Sequence, residues 1–153
     1  EGFKGSTKFK KINKIRDQIK RGEKILRGQK IVSPNGKFIF VLQGGDGNLC
    51  LYDMKPKQKG IWCNMTQKGN SDSLTFEHDG NIIQRSKSGK LLWQSNTKNL
   101  GAEKLILTYD GALILVNKNY KIVWTLTGQH KNKIGTKYEP PTNDCPELCD
   151  CPN

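Results

Sequence analysis

The sequence predicts an all-β domain made of three small sheets around a pseudo-threefold axis. Three observations lead there. Trp62, Trp93 and Trp124 are spaced 31 residues apart, and each follows a short apolar couple: Lys59-Gly60-Ile61-Trp62, Lys90-Leu91-Leu92-Trp93 and Lys121-Ile122-Val123-Trp124. Upstream of each lies an Asp-Gly step between alternating apolar residues: Asp46-Gly47-Asn48, Asp79-Gly80-Asn81 and Asp110-Gly111-Ala112. Turn-forming clusters separate the short apolar runs at intervals of about eight to twelve residues, the spacing of a domain built from strands. A fixed period of this length marks one supersecondary unit used three times.

An entry segment precedes the units. It has its own rhythm, Ile19, Gly22-Glu23, Ile25, Gly28-Gln29, Ile31, and runs into Ser33-Pro34-Asn35-Gly36. In the first unit Phe38, Phe40 and Leu42 share one side of a strand, while Ile39 and Val41 make the other side apolar too. Gly44-Gly45-Asp46-Gly47 then turns the chain. In the next strand Asn48, Cys50 and Tyr52 point one way and Leu49 and Leu51 the other. A polar turn from Met54 to Lys59 leads to the Trp62 strand. The second unit repeats the plan with Leu74-Thr75-Phe76, Asn81 to Arg85 and Leu91-Leu92-Trp93. The third does so with Leu105-Ile106-Leu107, Leu113 to Val116 and Ile122-Val123-Trp124. Each indole sits beside aliphatic residues at the same phase, so the three are expected to be buried and mutually close along the axis rather than to form an exposed ligand platform.

From Asp17 to Leu126 the chain resembles the bulb-type (monocot mannose-binding) lectin domain. The Gly-Gln/Glu-x-hydrophobic repeat, the Ser33-Pro34-Asn35-Gly36-x-Phe38 segment and the recurring motif with its following Trp strand carry the likeness. The resemblance implies a β-prism II of three four-stranded antiparallel sheets, whose open edges invite strand pairing in dimers. It also implies a sugar site per copy, built on Gln-x-Asp-x-Asn-x-Val-x-Tyr. Alternate residues of one strand would present a row of donors and acceptors to the hydroxyls of mannose, and no cofactor or cation is required.

All three copies depart from that motif. The first has Gln43, Asp46, Asn48 and Tyr52, with one extra residue in Gln43-Gly44-Gly45-Asp46 and Cys50 where the family has Val. The insertion turns Gln43 to the wrong face unless the glycines absorb it as a bulge. The second reads Glu77, Asp79, Asn81, Ile83 and Arg85. The third, with Thr108, Asp110, Ala112, Ile114 and Val116, has lost most polar groups. The plainer reading of the Asp-Gly steps is turn chemistry, which accounts for all three copies but not for Tyr52.

In a hairpin with its tip near residues 56 and 57, Cys50 falls opposite Cys63, and both are out of phase with Leu49, Leu51 and Trp62. A cross-strand disulfide is therefore expected there, on the sugar-facing side. Cys145, Cys149 and Cys151 remain. An odd number of thiols suggests one further bridge and one intermolecular disulfide; a zinc site would need His130 as fourth ligand, at a spacing that matches no standard finger. Asn64-Met65-Thr66 is a glycosylation sequon. The cysteines and the family resemblance, with the sequon as minor support, point to an extracellular, secreted protein. No run approaches the roughly 20 apolar residues of a membrane span. No secretory leader is visible: Glu1 opens into polar sequence, as in a processed product or a protein without a signal.

The net charge of +12 is uneven: residues 1–31 hold eleven Lys and Arg against Glu1, Asp17 and Glu23. In the stretch 1–15, Phe9, Ile12 and Ile15 lie three apart among Lys8, Lys10, Lys11 and Lys14. Either a short basic amphipathic helix or a disordered arm for anionic surfaces is expected, set off from the domain at 16–127 and the Cys- and Pro-containing tail at 128–153. With two histidines and no nucleophile motif, catalysis finds little support, and Asp46 stands where a phosphate-cradling Gly loop would hold its anion. Basic residues interleaved with aromatics are missing, so nucleic acid is not expected as a partner. Two readings remain. One is a secreted, non-enzymatic lectin for mannose-type glycans with degenerate sites. The other is a lectin-fold structural, interaction or defence protein that has lost sugar binding and engages anionic glycans, membranes or a protein through its basic surface. A homo-oligomer, by strand pairing or a tail disulfide, is compatible with both.

Overall fold

The computed structural model describes residues 9–140, and these form three sheets packed around one core. The entry segment explains the arrangement. Its three strands, β2 (Gln18–Lys20), β3 (Glu23–Leu26) and β4 (Lys30–Val32), each go to a different sheet. The first unit's β5 (Phe38–Leu42), β6 (Leu49–Asp53) and β7 (Lys59–Cys63) follow β4. The second unit's β8 (Ser71–Phe76), β9 (Ile82–Ser86) and β10 (Leu91–Gln94) add to β3. The third unit's β11 (Lys104–Leu107), β12 (Leu113–Val116) and β13 (Ile122–Thr125) add to β2. The six-residue rhythm of the entry segment is the step from one sheet to the next. Ile19, Ile25 and Ile31 are fully buried, opposite Leu105, Leu74 and Phe40, and Gly22 and Gly28 make the turns between them at positive φ of 89° and 94°.

The core is aliphatic and phenylalanine-rich, drawn from all three sheets: Ile19, Ile25, Ile31, Phe40, Leu49, Leu51, Leu74, Phe76, Leu105 and Leu115 are almost fully buried. The tryptophans do not fill the axis as expected. Each is half-buried and packs against the core from the outer edge strand of its sheet. Trp62 and Trp93 meet edge to face, centroids 5.7 Å apart. A bulge recurs beside each Trp. Trp62 pairs with Leu51, Trp93 with Gln84 and Trp124 with Leu115, and the residue just before each Trp (Ile61, Leu92, Val123) is skipped in the register. Thus the residue directly preceding each Trp marks a bulge.

Two further expectations change. Residues 9–15 form no helix: Lys10–Lys11 is a strand, β1, parallel to β3, so one sheet has five strands, one of them parallel, instead of four antiparallel ones. Ile12 is buried in the core, Ile15 is 62% exposed, and Phe9 stacks on His78 with centroids 5.2 Å apart, so the three apolar residues share no helical face. Lys8 and the three tail cysteines lie outside the described residues. In the sheet of the third unit the edge strand β13 is covered by the chain itself, through Ile122 N–H to Thr136 O (2.9 Å) and Gly135 N–H to Ile122 O (2.7 Å). The Cys50–Cys63 bridge is formed across β6 and β7 as expected, and closing its loop contributes on the order of 3 kcal/mol.

Candidate functional site

The outer face of the first sheet carries a hollow of about 470 Å³ between the 43–46 turn, Tyr52 and Gln58, floored by Ile39 and Val41. Three polar side chains close into a chain there. The Tyr52 hydroxyl donates to Gln43 Oε1, Gln43 Nε2 donates to Asp46 Oδ1 at 3.0 Å, and the same Oδ1 accepts the Asn48 N–H at 3.0 Å. Gln43 thus reaches the site in spite of the extra residue, because Gly44 and Gly45 absorb it as a protruding turn. The Asn48 N–H, then Gln43, hold the Asp46 carboxyl below the usual carboxylate range, with Arg27 adding a smaller attraction. The carboxylate therefore stays an acceptor at any physiological pH. Cys50 replaces the Val of the motif, yet the aliphatic patch survives: Ile39 and Val41 of β5 provide it, while Cys50 is fully buried.

Asn48 behaves differently. It is buried, and its Oδ1 accepts the N–H groups of Thr66 (3.0 Å) and Leu49 (3.1 Å). In the second copy Asn81 is equally buried, with Oδ1 accepting from Thr97 N–H (3.1 Å) and the Ser95 hydroxyl (3.2 Å) and Nδ2 donating to Gln94 (2.9 Å). The expected row of exposed acceptors is corrected accordingly: both Asn carbonyls pin the backbone that leaves the Trp strand for the next unit. Asp79 repeats the turn role of Asp46, accepting the Asn81 N–H at 2.9 Å. Where the first copy has Gln43 and Tyr52, the second has an ion pair, Arg85 Nη1 to Glu77 Oε2 at 2.9 Å, with the Thr75 hydroxyl donating to the same oxygen at 2.7 Å. That oxygen's capacity is used within the protein.

No family sequence model and no curated protein sequence matches the chain. Solved structures do. A lectin from Allium sativum is 30% identical, with 67% of this chain and 94% of that one covered at a TM-score of 0.56. The mannose-specific agglutinin of snowdrop (Galanthus nivalis), solved with methyl-α-D-mannoside, is 29% identical, with 67% and 90% covered at 0.58. A Marasmius oreades lectin, 21% identical, shares the fold over 75% and 96% at a TM-score of 0.65. The chain belongs to the bulb-type, monocot mannose-binding lectin family.

In this lectin the third copy is covered by the chain's own C-terminal segment. Ala112, Ile114 and Val116 form an apolar outer face with Ile106 and Ile122, and Tyr120 and Tyr138 pack on it. Burial, then the carboxylates of Asp17 and Asp110, push the Tyr138 phenol up to about 12. His130, considered above as a zinc ligand, instead places Nε2 2.9 Å from Asp110 Oδ2, and Gln129 Nε2 donates to Asp110 O at 2.8 Å. Burial raises the Asp110 carboxyl, but hydrogen bonds from Thr108 and His130 outweigh it and leave it lowered.

The sequon is woven into the fold as well. Asn64 Nδ2, the atom a glycan would occupy, donates to Gln84 Oε1 at 2.7 Å, and Thr66 Oγ1 donates to Asn64 Oδ1 at 2.8 Å. Gln84 is fully buried at the position equivalent to Leu51 and Leu115. Sequence reasoning missed this polar anchor, whose signal was a Gln in the core phase of β9. Of the basic residues, Lys10, Lys11 and Lys14 are exposed on the first strand and the loop after it.

Proposed function

We propose that the protein is a secreted, glycan-binding lectin whose working site is the first copy, with a mannose-type hexose as ligand. The observation that carries this is the Tyr52–Gln43–Asp46 chain at a hollow floored by Ile39 and Val41. It supplies donors, a fixed carboxylate and an aliphatic floor, the mixture that a pyranose with vicinal hydroxyls and a C–H face requires. The snowdrop relative's complex with methyl-α-D-mannoside supports the same ligand class. The second copy contributes little, since Glu77 is engaged by Arg85 and Thr75, and the third is covered. One open site gives weak binding, near millimolar, or about −4 kcal/mol, so useful avidity comes from dense display of ligand or protein. The disulfide supports an oxidising, extracellular setting.

A glycan array at low and at physiological salt tests the reading, with Tyr52→Phe and Asp46→Ala as controls. Neutral mannosides should bind at both salt levels and be lost in both variants. Binding confined to anionic glycans or lipids, screened by salt and removed by neutralising Lys10, Lys11 and Lys14, would replace it with a scaffold acting through its charge.

A further inference from the structure

The entry segment does more than give each sheet a strand. In every copy the carbonyl just before the motif Asp takes a hydrogen bond from one of its side chains. Arg21 Nη1 donates to His78 O (2.9 Å) ahead of Asp79, Arg27 Nη2 to Gly45 O (3.2 Å) ahead of Asp46, and Asn35 Nδ2 to Tyr109 O (3.1 Å) ahead of Asp110. Both arginines also reach the start of the following unit, Arg21 Nε at Ala102 O and Arg27 Nη1 at Ser71 O. The glycine of the first two Asp-Gly steps makes room: a methyl on Gly47 would lie 3.3 Å from Arg27 Cζ, and one on Gly80 would lie 3.4 Å from Arg21 Nη2.

Arg27 has one contact that Arg21 lacks. Its Nε donates to Gly44 O at 3.0 Å, the carbonyl of the residue by which the first turn is longer than the second. A guanidinium offers donors in a fixed planar fork, so neighbouring carbonyls are held in a set relation to one another. We infer that Arg27 is the positioning residue of the first sugar site: by holding the carbonyls of both glycines of the lengthened turn it fixes the bulge that returns Gln43 to Tyr52 and Asp46. The inference rests on the reading of that copy as the working site. It also explains how a motif with one residue too many keeps its geometry, since the two adjacent glycines, one of them the insertion, would otherwise leave the turn many conformations. The chemical consequence concerns mannose-type ligands only through Gln43, because Arg27 itself binds backbone.

The test uses the full chain with Arg27→Lys and Arg27→Ala, and Arg21→Ala as a control on the second copy. Two readouts are taken: the through-space NMR contact between the Gln43 side-chain amide and the Tyr52 ring, and titration with methyl-α-D-mannoside. Both Arg27 variants should lose the contact and bind about tenfold more weakly, the scale of losing a hydrogen bond that orders a polar group. Lysine should fail to rescue, because one ammonium on a flexible stem cannot reproduce the fork, and Arg21→Ala should bind like the parent. Should Arg27→Ala not fold, Arg27→Lys, with its charge and stem retained, decides alone. A preserved contact and unchanged affinity in Arg27→Lys would overturn the inference. If the parent protein binds no mannoside, the functional reading fails, and the Gln43–Tyr52 contact still decides whether Arg27 positions Gln43.

Discussion

Replacing Asn48 separates the two roles that the sugar motif combines. Asn48→Ala removes the acceptor of the Thr66 and Leu49 N–H groups. Leu49 N–H has a second, longer partner in Asn64 Oδ1 at 3.4 Å, so Thr66 bears the loss. Stranding one backbone donor beside the core costs about 1–3 kcal/mol. At about 4 °C per kcal/mol for a domain of this size, the melting temperature should fall by roughly 4–12 °C. Asn81→Ala should behave alike, since Thr97 N–H depends on it. Tyr52→Phe gives the contrast: it deletes one hydroxyl in a half-buried ring, so stability should change by about 1 kcal/mol at most, while mannoside binding is lost. Differential scanning fluorimetry beside ligand titration reads both axes. An Asn48→Ala protein that melts within about 1 °C of the parent and yet binds no sugar would refute the assignment of Asn48 to the backbone.

Acid should act through the lowered carboxylates. Asp46 is lowered by the Asn48 N–H and then Gln43, Asp53 by its hydrogen bond from Lys37, and Asp110 by Thr108 and His130 against burial. Groups depressed in the folded state add stability above their unfolded values and lose it as pH falls through the folded ones, so the melting temperature should be flat from about pH 8 to 5 and decline below about pH 4; Asp53→Asn should flatten that decline. At the other end of the chain, Tyr138→Ser should uncover the apolar face of Ile106, Ala112, Ile114, Val116 and Ile122. It should cost about 1–2 kcal/mol and appear as hydrophobic-dye binding or concentration-dependent dimerisation in sedimentation, neither of which the parent should show to the same degree; one of the four tyrosines should also ionise late in the parent's alkaline titration.

What was legible in the sequence was whatever a period could reveal. The 31-residue spacing gave three units, the alternation gave their strands, and the offset of Cys50 from Cys63 in one hairpin gave the bridge. Edge position was not legible, and it is why the tryptophans end up half-buried: a strand's phase tells which face a residue takes, not how many neighbours the strand has. The helical spacing of Phe9, Ile12 and Ile15 misled for a related reason. Three apolar residues at intervals of three also suit a chain that crosses from one environment to another, with Phe9 on His78, Ile12 in the core and Ile15 in solvent. The clamps Arg21, Arg27 and Asn35 left a faint trace, since each arginine directly precedes an entry-segment glycine. Their partners are carbonyls, which no sequence pattern marks.

The three copies also show why a decayed sugar motif remains recognisable. Asp46 and Asp79 hold the N–H two residues on, and Asn48 and Asn81 hold the N–H of Thr66 and Thr97, on the path to the next unit. The third unit is the last among the described residues, and there the Asn is Ala112; the turn is held instead by Thr108 Oγ1, which accepts Ala112 N–H at 3.0 Å. The Asn of the Asp-Gly-Asn step is thus a device for folding, present in the two copies whose chain runs into another described unit. Gln43 and Tyr52 have no such duty. Their partners are each other and Asp46, on the open side of the sheet, and the second copy substitutes an ion pair at the same place. A copy can therefore keep half its motif with no ligand to bind. What distinguishes the first copy is that it keeps the two residues the fold does not need.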